Sequence, residues 1–371
     1  MKTLAIFGST GSIGKTSLKI YENNQNKFNL LFLSAHTNSN KLFSQYKKYK
    51  PKKIILTGKT INKFKTLKPL IEFNNLNKLK KKIDYVISGF SGYEAIQLNL
   101  KLLKISKNLL IANKETIICG GEFFLREAKK NKCNIIPIDS EHHCVDFFLD
   151  NFNKLNYKNI DTFYLIASGG PFFEKKIKYN ESILKVTNHP NWSMGKKISI
   201  ASSNFANKVL ELFEAKILFK IKNNKLKILV ERSSNVHAII SFKNNIHFPI
   251  MHYPNMKIPI LNSLGLKNSI SLKLNNIKIN LREPCQKKFP IIKLGYDILR
   301  NYNHSLVIIF TVLNERLIDM YIKKKIKYGD IAFYLVNIFK NDILKRKSFS
   351  KINNLNDILK QINYAKKIKI I

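Results

Sequence analysis

The sequence predicts an α/β protein in which an N-terminal Rossmann-type parallel sheet is followed by a mixed α+β domain and a C-terminal helical bundle. Two observations carry this prediction. Short apolar runs alternate with amphipathic segments over about the first 140 residues, which is the pattern of βαβ units. From about Pro290 onward the apolar residues follow helical spacing, and strand-like alternation is lacking.

Six apolar runs predict the strands of the parallel sheet, at residues 4–7, 30–35, 53–56, 85–88, 109–112 and 135–138. Amphipathic segments at 93–103 and 122–130 predict helices between them. Near the C-terminus, Leu355, Ile358, Leu359 and Ile362 repeat at the spacing of one helix face. At 371 residues the chain has room for two or three domains, and we expect domains at 1–139, 140–263 and 288–371 with a linker at 264–287.

The composition excludes some classes of protein. Hydrophobic residues make up 44% of the chain and aromatic residues 11%, so intrinsic disorder is excluded as its main state. The apolar runs are far shorter than the roughly 18 residues that a membrane helix needs, so we expect no membrane partner. The four cysteines are widely spaced and form no CxxC pair, which argues against a disulfide framework or a zinc site.

The net charge of +41 comes mainly from lysine, since 6 of the 65 basic residues are arginine. Arginine is the side chain suited to bidentate recognition of bases and phosphates. The lysines are spread over the whole length, together with many asparagines and isoleucines, which favours the codon drift of an AT-rich genome over nucleic-acid binding. The first predicted strand begins almost at Met1, so we expect no targeting segment and a cytoplasmic protein.

A glycine-rich segment, GSTGSIG at 8–14, directly follows the first predicted strand. A strand, a glycine turn and a helix N-terminus form a cradle for a dinucleotide pyrophosphate, because backbone N–H groups and the helix dipole both face the anion. A purely structural turn is the alternative. An NAD site also needs an acidic residue at the end of the second strand, and no Asp or Glu lies between Ser34 and Asn40. The sequence therefore favours NADPH.

Two further motifs carry carboxylates. IDSEHH at 138–143 follows an apolar run, and Asp139 and Glu141 alternate, so we expect both on one side at the carboxyl end of a strand. This spacing suits magnesium or manganese, although a solvated loop has the same pattern. If 201–211 is helical, one helix face offers an amide, an ammonium and a carboxylate, from Asn207, Lys208 and Glu211. Such a face suits a phosphorylated, metal-chelating substrate, and a surface ion pair is the alternative.

Two loop motifs complete the candidates. HPNWSMG at 189–195 holds Trp192, the single tryptophan, between a proline and a glycine without helix or strand periodicity. Such an indole is either a buried plug or part of a lid over a substrate. ASGGPFF at 167–173 is a small-residue turn in which Ser168 and the glycine N–H groups could hold a phosphate, with a plain turn as the equal alternative.

Taken together and in order, these motifs resemble the 1-deoxy-D-xylulose 5-phosphate reductoisomerase family. The matching segments extend over nearly the whole chain: GSTGSIG at 8–14, ANKE at 112–115, DSEH at 139–142, SGGPF at 168–172, HPNWSMGKKIS at 189–199, and NK followed by LE within 207–211. The resemblance implies a homodimer whose first domain binds NADPH and whose second domain is catalytic and binds metal and substrate. It implies rearrangement and reduction of 1-deoxy-D-xylulose 5-phosphate to 2-C-methyl-D-erythritol 4-phosphate, with NADPH and manganese or magnesium, in the non-mevalonate route to isoprenoid precursors.

The resemblance also implies roles for individual residues. The implied metal ligands are Asp139, Glu141 and Glu211. The residues implied in substrate binding are Lys114, Ser140, Glu141, Ser168, His189, Ser202, Asn207, Lys208 and Glu211. The residues implied in catalysis are Lys114, Glu141, His189 and Trp192. The residues implied in NADPH binding are Thr10, Gly11, Ser12, Ile13, Asn38, Asn113, Glu115 and Gly195.

The chain departs from the family pattern at several positions. ERSSNVH at 231–237 stands where the family usually has HPQS before VH. Ala201 replaces an aspartate, and Val209 replaces a glycine on the predicted site helix. His36 and Thr37 stand where members often carry glycine and a basic residue, which bears on recognition of the NADPH 2′-phosphate. Another NADP-dependent dehydrogenase would not require DSEH or HPNWSMG, and a basic nucleic-acid-binding protein would be expected to cluster its arginines.

Overall fold

The computed structural model of the chain describes residues 1–58, 70–152, 157–192, 194–267, 270–344 and 351–370. Within these ranges the chain forms two compact units. The first unit consists of Met1–Thr116, Phe124–His143 and Met256–Ile270, and the second of Ile117–Phe123, Cys144–Asn255 and Ser271–Ile371. Two positions of the expected linker, 268 and 269, and Ser193 of the tryptophan loop lie outside the described residues. The domain boundaries expected from the sequence stay a prediction.

The first unit is built on a sheet of seven strands: β1 (Lys2–Phe7), β2 (Phe28–Ala35), β3 (Lys53–Leu56), β4 (Leu70–Ile71), β5 (Ile83–Ser88), β6 (Ser106–Ile111) and β7 (Asn134–Pro137). Their order is β4-β3-β2-β1-β5-β6-β7, and every pair is parallel. The six predicted strands end within one residue of their expected C-terminal ends. The order reverses between β1 and β5, and the crevice at such a reversal is where open α/β sheets bind their ligands.

Five helices follow these strands in sequence: α1 (Ser12–Glu22), α2 (Ser39–Tyr49), α3 (Ile96–Ile105), α4 (Lys114–Lys130) and α5 (Ser140–Asn151). Of these, α1, α2 and α3 pack against the strands of the sheet, and β1 and β2 are buried over most of their length. Helix α4 begins eight residues before the predicted helix at 122–130, and it is interrupted at Gly121, where φ is +50°.

The second unit holds a five-stranded mixed sheet: β8 (Ile160–Ala167), β9 (Leu226–Glu231), β10 (Val236–Phe242), β11 (His247–Met251) and β12 (Leu281–Arg282). The order is β11-β10-β8-β9-β12, with β8 and β9 parallel and the other pairs antiparallel. Strand β12 comes from the segment expected as a linker. Among the remaining helices, α9 (Lys257–Ser263) belongs to the first unit. The helices of the second unit are α6 (Ile183–Thr187), α7 (Lys196–Ser203), α8 (Ala206–Leu218), α10 (Pro290–Arg300), α11 (His304–Ile322), α12 (Tyr328–Ile338) and α13 (Leu355–Lys367).

Helix α11 is the centre of the C-terminal helical part, and it packs against α7, α8, α12 and α13. Its N-terminal half is buried throughout, which explains why this stretch is the most continuously apolar of the chain. The predicted α/β class, with a parallel sheet, a mixed part and C-terminal helices, is confirmed. Among the described residues, no helix combines the length and the hydropathy that crossing a membrane requires.

Polar contacts attach the segment around α6 and α7 to these C-terminal helices. The Tyr321 hydroxyl donates a hydrogen bond to the Glu181 carbonyl over 2.7 Å. The Gly329 N–H donates to the Tyr179 carbonyl over 2.8 Å. After the tryptophan loop, the Lys197 ammonium lies 2.9 Å from Glu315 and 2.7 Å from Asp319, both on α11.

Candidate active site

The glycine segment after β1 forms a tight turn into α1. Gly8 has a φ of +72°, and a Cβ at this position would lie 2.6 Å from the carbonyl oxygen of Gly89, which follows β5. A Cβ at Gly14 would lie 2.4 Å from the Gly8 carbonyl oxygen, so both positions require glycine. The Lys15 N–H donates to the Gly11 carbonyl, so the N–H groups before Lys15 stand at the open end of the helix. This turn and helix start hold the predicted residues Thr10, Gly11, Ser12 and Ile13.

Two lysines lie near the starts of the helices that follow β1 and β2, Lys15 on α1 and Lys41 on α2. Asn38 caps α2 by accepting a hydrogen bond from the Lys41 N–H over 3.1 Å. The Lys41 side chain contacts that of Lys15 on α1, and this contact lowers the pKa of Lys41 from its ordinary value. Both ammonium groups lie in the first turns of helices, where the helix dipole disfavours a cation. A bound anion would relieve this repulsion.

The start of α4 positions the motif ANKE. Asn113 caps the helix, since its side-chain oxygen accepts from the Thr116 N–H over 2.9 Å, and its amide group donates to Glu115 over 2.8 Å. The cap buries Asn113 almost completely and places Lys114 in the first turn of the helix. The Lys114 ammonium donates to Asp139 Oδ2 over 2.9 Å, and the Lys114 side chain is only 7% exposed. This lysine is therefore a buried cation held against a carboxylate.

Asp139 and Glu141 lie at the carboxyl end of β7, as predicted, but they do not alternate on an extended strand. The strand ends at Pro137, and Glu141 lies in the first turn of α5. The reason is that Asp139 Oδ1 accepts from the Glu141 N–H over 3.2 Å and so starts the helix. Ser140 donates to Glu141 Oε2 over 2.6 Å. The first unit thus offers two carboxylates at one helix start.

The ionisation of Asp139 is set by opposing effects. Burial raises the pKa of this carboxyl, but the Lys114 ammonium and the His142 imidazole outweigh it and hold the pKa well below its ordinary value. His142 Nδ1 lies 3.0 Å from Asp139 Oδ1, and the His142 side chain is fully buried. Asp139 is therefore an anion, which is the form that ligates a metal.

Helix α8 carries the predicted amide, ammonium and carboxylate on one face. Asn207 donates to Glu211 Oε1 over 2.5 Å, and the Lys208 ammonium lies 2.5 Å from Glu211 Oε2. Lys208 also donates to the Ile166 carbonyl of β8 over 2.8 Å. The side chains of Lys208 and Glu211 are 6% and 1% exposed. The alternative of a surface ion pair is therefore wrong.

The turn after β8 brings Ser168 to His189. Ser168 Oγ lies 2.7 Å from His189 Nε2. The backbone N–H groups of Asn191 and Trp192 both donate to His189 Nδ1, over 3.2 and 3.1 Å. Since Nδ1 is an acceptor, the proton of the neutral ring lies on Nε2, and His189 donates to Ser168. Burial, together with the charge of Arg232, lowers the pKa of His189 to about 4, so the ring is neutral near pH 7.

The tryptophan loop lies beside this pair. Trp192 is half-buried, and its ring meets the His237 ring edge to face with centroids 6.2 Å apart. Gly195 caps α7, and a Cβ there would meet no atom within 4 Å. Ser202, near the other end of α7, has its carbonyl oxygen 3.2 Å from where a Cβ of Gly170 would be. The predicted residues Ser168 and Ser202 therefore belong to adjoining backbone segments.

Comparison with known proteins decides the family. The family model described as 1-deoxy-D-xylulose 5-phosphate reductoisomerase matches residues 4–121, and two models of reductoisomerase C-terminal domains match 135–219 and 251–368. A protein of that name from Pelagibacter ubique (strain HTCC1062) is 37% identical to this chain, over 96% of this chain and 97% of its own length. The chain belongs to the 1-deoxy-D-xylulose 5-phosphate reductoisomerase family.

Further members of the reductoisomerase family support the same assignment. A reductoisomerase of Francisella tularensis (subsp. holarctica) is 31% identical over 88% of this chain and 89% of its own. The crystal structure of a DOX-P reductoisomerase in complex with NADPH, fosmidomycin and magnesium is similar over 99% of this chain and 97% of its own. The TM-score is 0.86 and the sequence identity is 27%. The similarity therefore extends over both units.

One departure from the reductoisomerase pattern has a packing explanation. Val209, which replaces a glycine on α8, is fully buried. A Cβ at Gly295 on α10 would lie 2.6 Å from the Val209 Cγ1 atom. The glycine at 295 thus makes room for the valine at 209. For Ala201, which replaces an aspartate and is buried on α7, nothing in the structure explains the exchange.

Three residues of the site were missed by sequence reasoning. His142 holds Asp139, Asn191 contributes to the loop through its backbone and side chain, and Arg232 contacts the turn at Ser168. His142 and Asn191 lie inside the family motifs, next to the predicted site residues Glu141 and Trp192. Arg232 lies in the segment that departs from the family pattern, and its one available signal is the scarcity of arginine in this lysine-rich chain.

Proposed function

We infer that this chain is an NADP-dependent oxidoreductase that rearranges and reduces 1-deoxy-D-xylulose 5-phosphate to 2-C-methyl-D-erythritol 4-phosphate, using NADPH and a divalent cation. The observation that carries this inference is that charged side chains of the family motifs are buried and held in ion pairs. In a member of the reductoisomerase family, each unit holds a largely buried lysine against a carboxylate, Lys114 with Asp139 and Lys208 with Glu211. Buried ion pairs of this kind are costly to the fold, which supports a role in chemistry.

The donor set fits a hard divalent cation. We propose that the three carboxylates that the family resemblance implies, Asp139, Glu141 and Glu211, bind it, since carboxylate oxygens are the ligands that magnesium and manganese prefer. When bound, the cation supplies Lewis acidity toward the carbonyl and hydroxyl oxygens of the sugar, and NADPH supplies the hydride. Either metal satisfies this donor set, and we propose magnesium or manganese.

The chain's own residues then orient the substrate and hold charge. We propose that Lys114 and Ser140 bind the sugar oxygens, with the Lys114 ammonium stabilising negative charge that develops on them. Ser168, Ser202, Asn207 and Lys208 would hold the substrate phosphate, for which hydroxyl, amide and ammonium donors are suited. These donors lie at the end of β8, on α7 and at the start of α8.

His189 and Trp192 would cover the substrate. The neutral His189 fixes the loop, because two backbone N–H groups converge on its Nδ1. We propose that Trp192 closes over the bound sugar and excludes water before hydride transfer. Because Trp192 is the single tryptophan of the chain, its emission reports on binding directly.

The NADPH site is proposed at the open end of the parallel sheet. The N–H groups of the glycine turn would hold the pyrophosphate, and the predicted residues Asn38, Asn113, Glu115 and Gly195 would line the rest. The lysine pair of α1 and α2, Lys15 and Lys41, would offset the 2′-phosphate charge in a chain whose Thr37 replaces a basic residue. This arrangement supports a preference for NADPH over NADH.

We further propose a homodimer in the cytoplasm that binds no nucleic acid. The dimer and the location rest on the family resemblance, and the lysines that make the chain basic are dispersed over its whole length. Sedimentation velocity would test the dimer. Release from heparin resin at low salt would support the absence of phosphate-backbone recognition.

The decisive experiment is an assay of NADPH oxidation. Purified protein should oxidise NADPH when both 1-deoxy-D-xylulose 5-phosphate and manganese or magnesium are present, and omission of either should abolish the signal. Activity that persists after exhaustive chelation would contradict the metal role. Oxidation driven by unrelated carbonyl compounds and not by this sugar phosphate would favour another NADP-dependent dehydrogenase.

A further inference from the structure

We propose that Arg232 is a positioning residue for the substrate phosphate, because its guanidinium holds the Ser168–Gly170 turn in the shape that receives the anion. The proposal rests on the proposed function, in which Ser168 binds that phosphate. Arg232 lies in the ERSS segment, where the reductoisomerase pattern usually has HPQS and therefore a proline without a side-chain donor. Where the family usually has a proline, this chain has an arginine that can donate hydrogen bonds to the carbonyl groups of the turn.

The contact is made to the backbone of the turn. Arg232 Nη1 donates to the Ser168 carbonyl over 2.6 Å and to the Gly170 carbonyl over 2.9 Å. Gly169 and Gly170 have φ values of +80° and +61°, in the left-handed region that glycine adopts freely. Two consecutive glycines leave such a turn many alternative shapes, and one guanidinium that bridges both carbonyls selects a single one.

The selected shape directs the Ser168 hydroxyl. Ser168 Oγ accepts from His189 Nε2 over 2.7 Å and lies 3.5 Å from the Gly170 N–H. Its lone pairs are therefore occupied from the protein side, and its own proton is left to donate to an anionic oxygen. If the turn relaxed, Ser168 would lose this orientation although its side chain would remain.

Arg232 also joins the turn to the tryptophan loop. The Asn191 amide donates to the Arg232 carbonyl over 2.6 Å and to Ser234 Oγ over 2.8 Å. The Arg232 Nε atom lies 3.8 Å from Glu174, and Glu174 in turn accepts from Arg282 over 2.5 Å. The Arg232 side chain is 29% exposed, and Glu174 partly neutralises its charge. We therefore expect Arg232 to act by holding the turn in place and not by attracting the phosphate with its charge.

The test compares Arg232→Gln with Arg282→Gln. Both variants remove one positive charge beside Glu174, but Arg232 is the arginine that contacts the turn carbonyls. We expect Arg232→Gln to raise the KM for 1-deoxy-D-xylulose 5-phosphate and the Ki of inorganic phosphate about tenfold or more. The kcat and the Kd for NADPH should stay within about twofold, and binding of phosphate-free 1-deoxy-D-xylulose should not change. Arg282→Gln should leave all these values near those of wild type.

Several outcomes would overturn the proposal. One is an unchanged KM and an unchanged phosphate Ki in Arg232→Gln. Another is an equal effect in both variants, which would indicate that only the loss of positive charge matters. A third is a fall in kcat without a change in KM. If Arg232→Gln does not fold, Arg232→Lys replaces it, because lysine keeps the charge but cannot bridge two carbonyls, and a Ki equal to wild type would refute the bridging role.

Phosphate binding is also followed by Trp192 fluorescence, so the outcome does not depend on turnover. Loss of phosphate binding in Arg232→Gln, in a wild-type protein that fails to oxidise NADPH with the sugar phosphate, would uphold the role of Arg232 and reject the proposed function. A wild-type protein that oxidises NADPH with the sugar phosphate, together with an Arg232→Gln variant that binds phosphate normally, would uphold the proposed function and reject the role of Arg232.

Discussion

The exchange Glu211→Gln tests the proposed role of the α8 carboxylate most directly. It keeps the size of the side chain and one acceptor oxygen for Lys208, but it replaces the oxygen that accepts from Asn207 with an NH2 group and removes the negative charge. Lys208 then remains largely buried but loses the carboxylate that lies 2.5 Å from its ammonium. We expect losses of both stability and metal binding, and these two losses can be measured separately.

The magnitude follows from burial. Removing one partner of a buried ion pair costs about 3–5 kcal/mol, because the other charge stays desolvated. The glutamine carbonyl and the Ile166 carbonyl still accept from Lys208, so we place the loss at about 2–3 kcal/mol. The melting temperature of the chelated protein should fall by about 5 °C or more. Adding Lys208→Met to Glu211→Gln should recover part of this loss, since the buried positive charge is then removed as well.

The assay is thermal unfolding with chelator and with added magnesium or manganese. A ligand that binds the native state at about 100 times its Kd stabilises it by about 2.7 kcal/mol, so wild type should show a clear metal-dependent rise. Glu211→Gln should lose this rise together with turnover. The matched control is Glu214→Gln, which changes a second buried carboxylate on the same helix and should keep the rise.

Two results would refute this reasoning. A Glu211→Gln protein as stable as wild type under chelation would mean that the buried pair contributes nothing to the fold. A full metal-dependent rise in Glu211→Gln, with its loss in Glu214→Gln, would mean that the wrong carboxylate of α8 has been assigned to the metal.

Three further predictions concern His189, the lysine pair and α8. Because burial lowers the pKa of His189 to about 4 from 6.5, its contribution to folding is complete above pH 6.5 and lost as pH falls toward 4. His189→Gln should therefore flatten acid unfolding, and an unchanged pH profile would count against a buried neutral ring. Lys41→Gln should weaken NADPH binding by about fivefold and leave NADH unaffected in fluorescence titrations, and equal effects on both would contradict contact with the 2′-phosphate. Gly295→Ala should cost about 1–3 kcal/mol in denaturant unfolding, and Val209→Ala should offset part of this, whereas simple additivity would show that the two do not clash.

Local signals explain what the sequence could predict about the fold. The central strands of the first sheet are buried toward their C-terminal ends, so each shows as a continuous apolar run whose end is also the end of the strand. Strand β4 has two residues, too few to form such a run. The start of α4 depends on the Asn113 cap, a single side-chain hydrogen bond that leaves no periodic pattern in the sequence.

The site was predictable to the extent that its residues lie in motifs. The spacing of Asn207, Lys208 and Glu211 determined their common face as soon as the segment was helical. The apolar run before Asp139 predicted its place at the carboxyl end of a strand, but the alternation of two carboxylates cannot reveal that the first of them caps a helix. Arg232 contacts carbonyls more than 60 residues earlier in the chain, and no local pattern encodes a bond across that separation.

The attachment of the tryptophan loop to the C-terminal helices has a consequence for how this chain tolerates deletion. None of the proposed site residues lies beyond Arg232, so roughly the last third of the sequence looks dispensable for chemistry. Yet the segments on both sides of the loop are tied to α11 and to the start of α12, through Tyr179 and Glu181 before it and Lys197 after it. A loop with anchored ends pays little entropy when it closes. In a truncated chain that kept every proposed site residue, the loop would lose more conformational entropy each time it closed. The C-terminal helices therefore support catalysis by anchoring both ends of the loop.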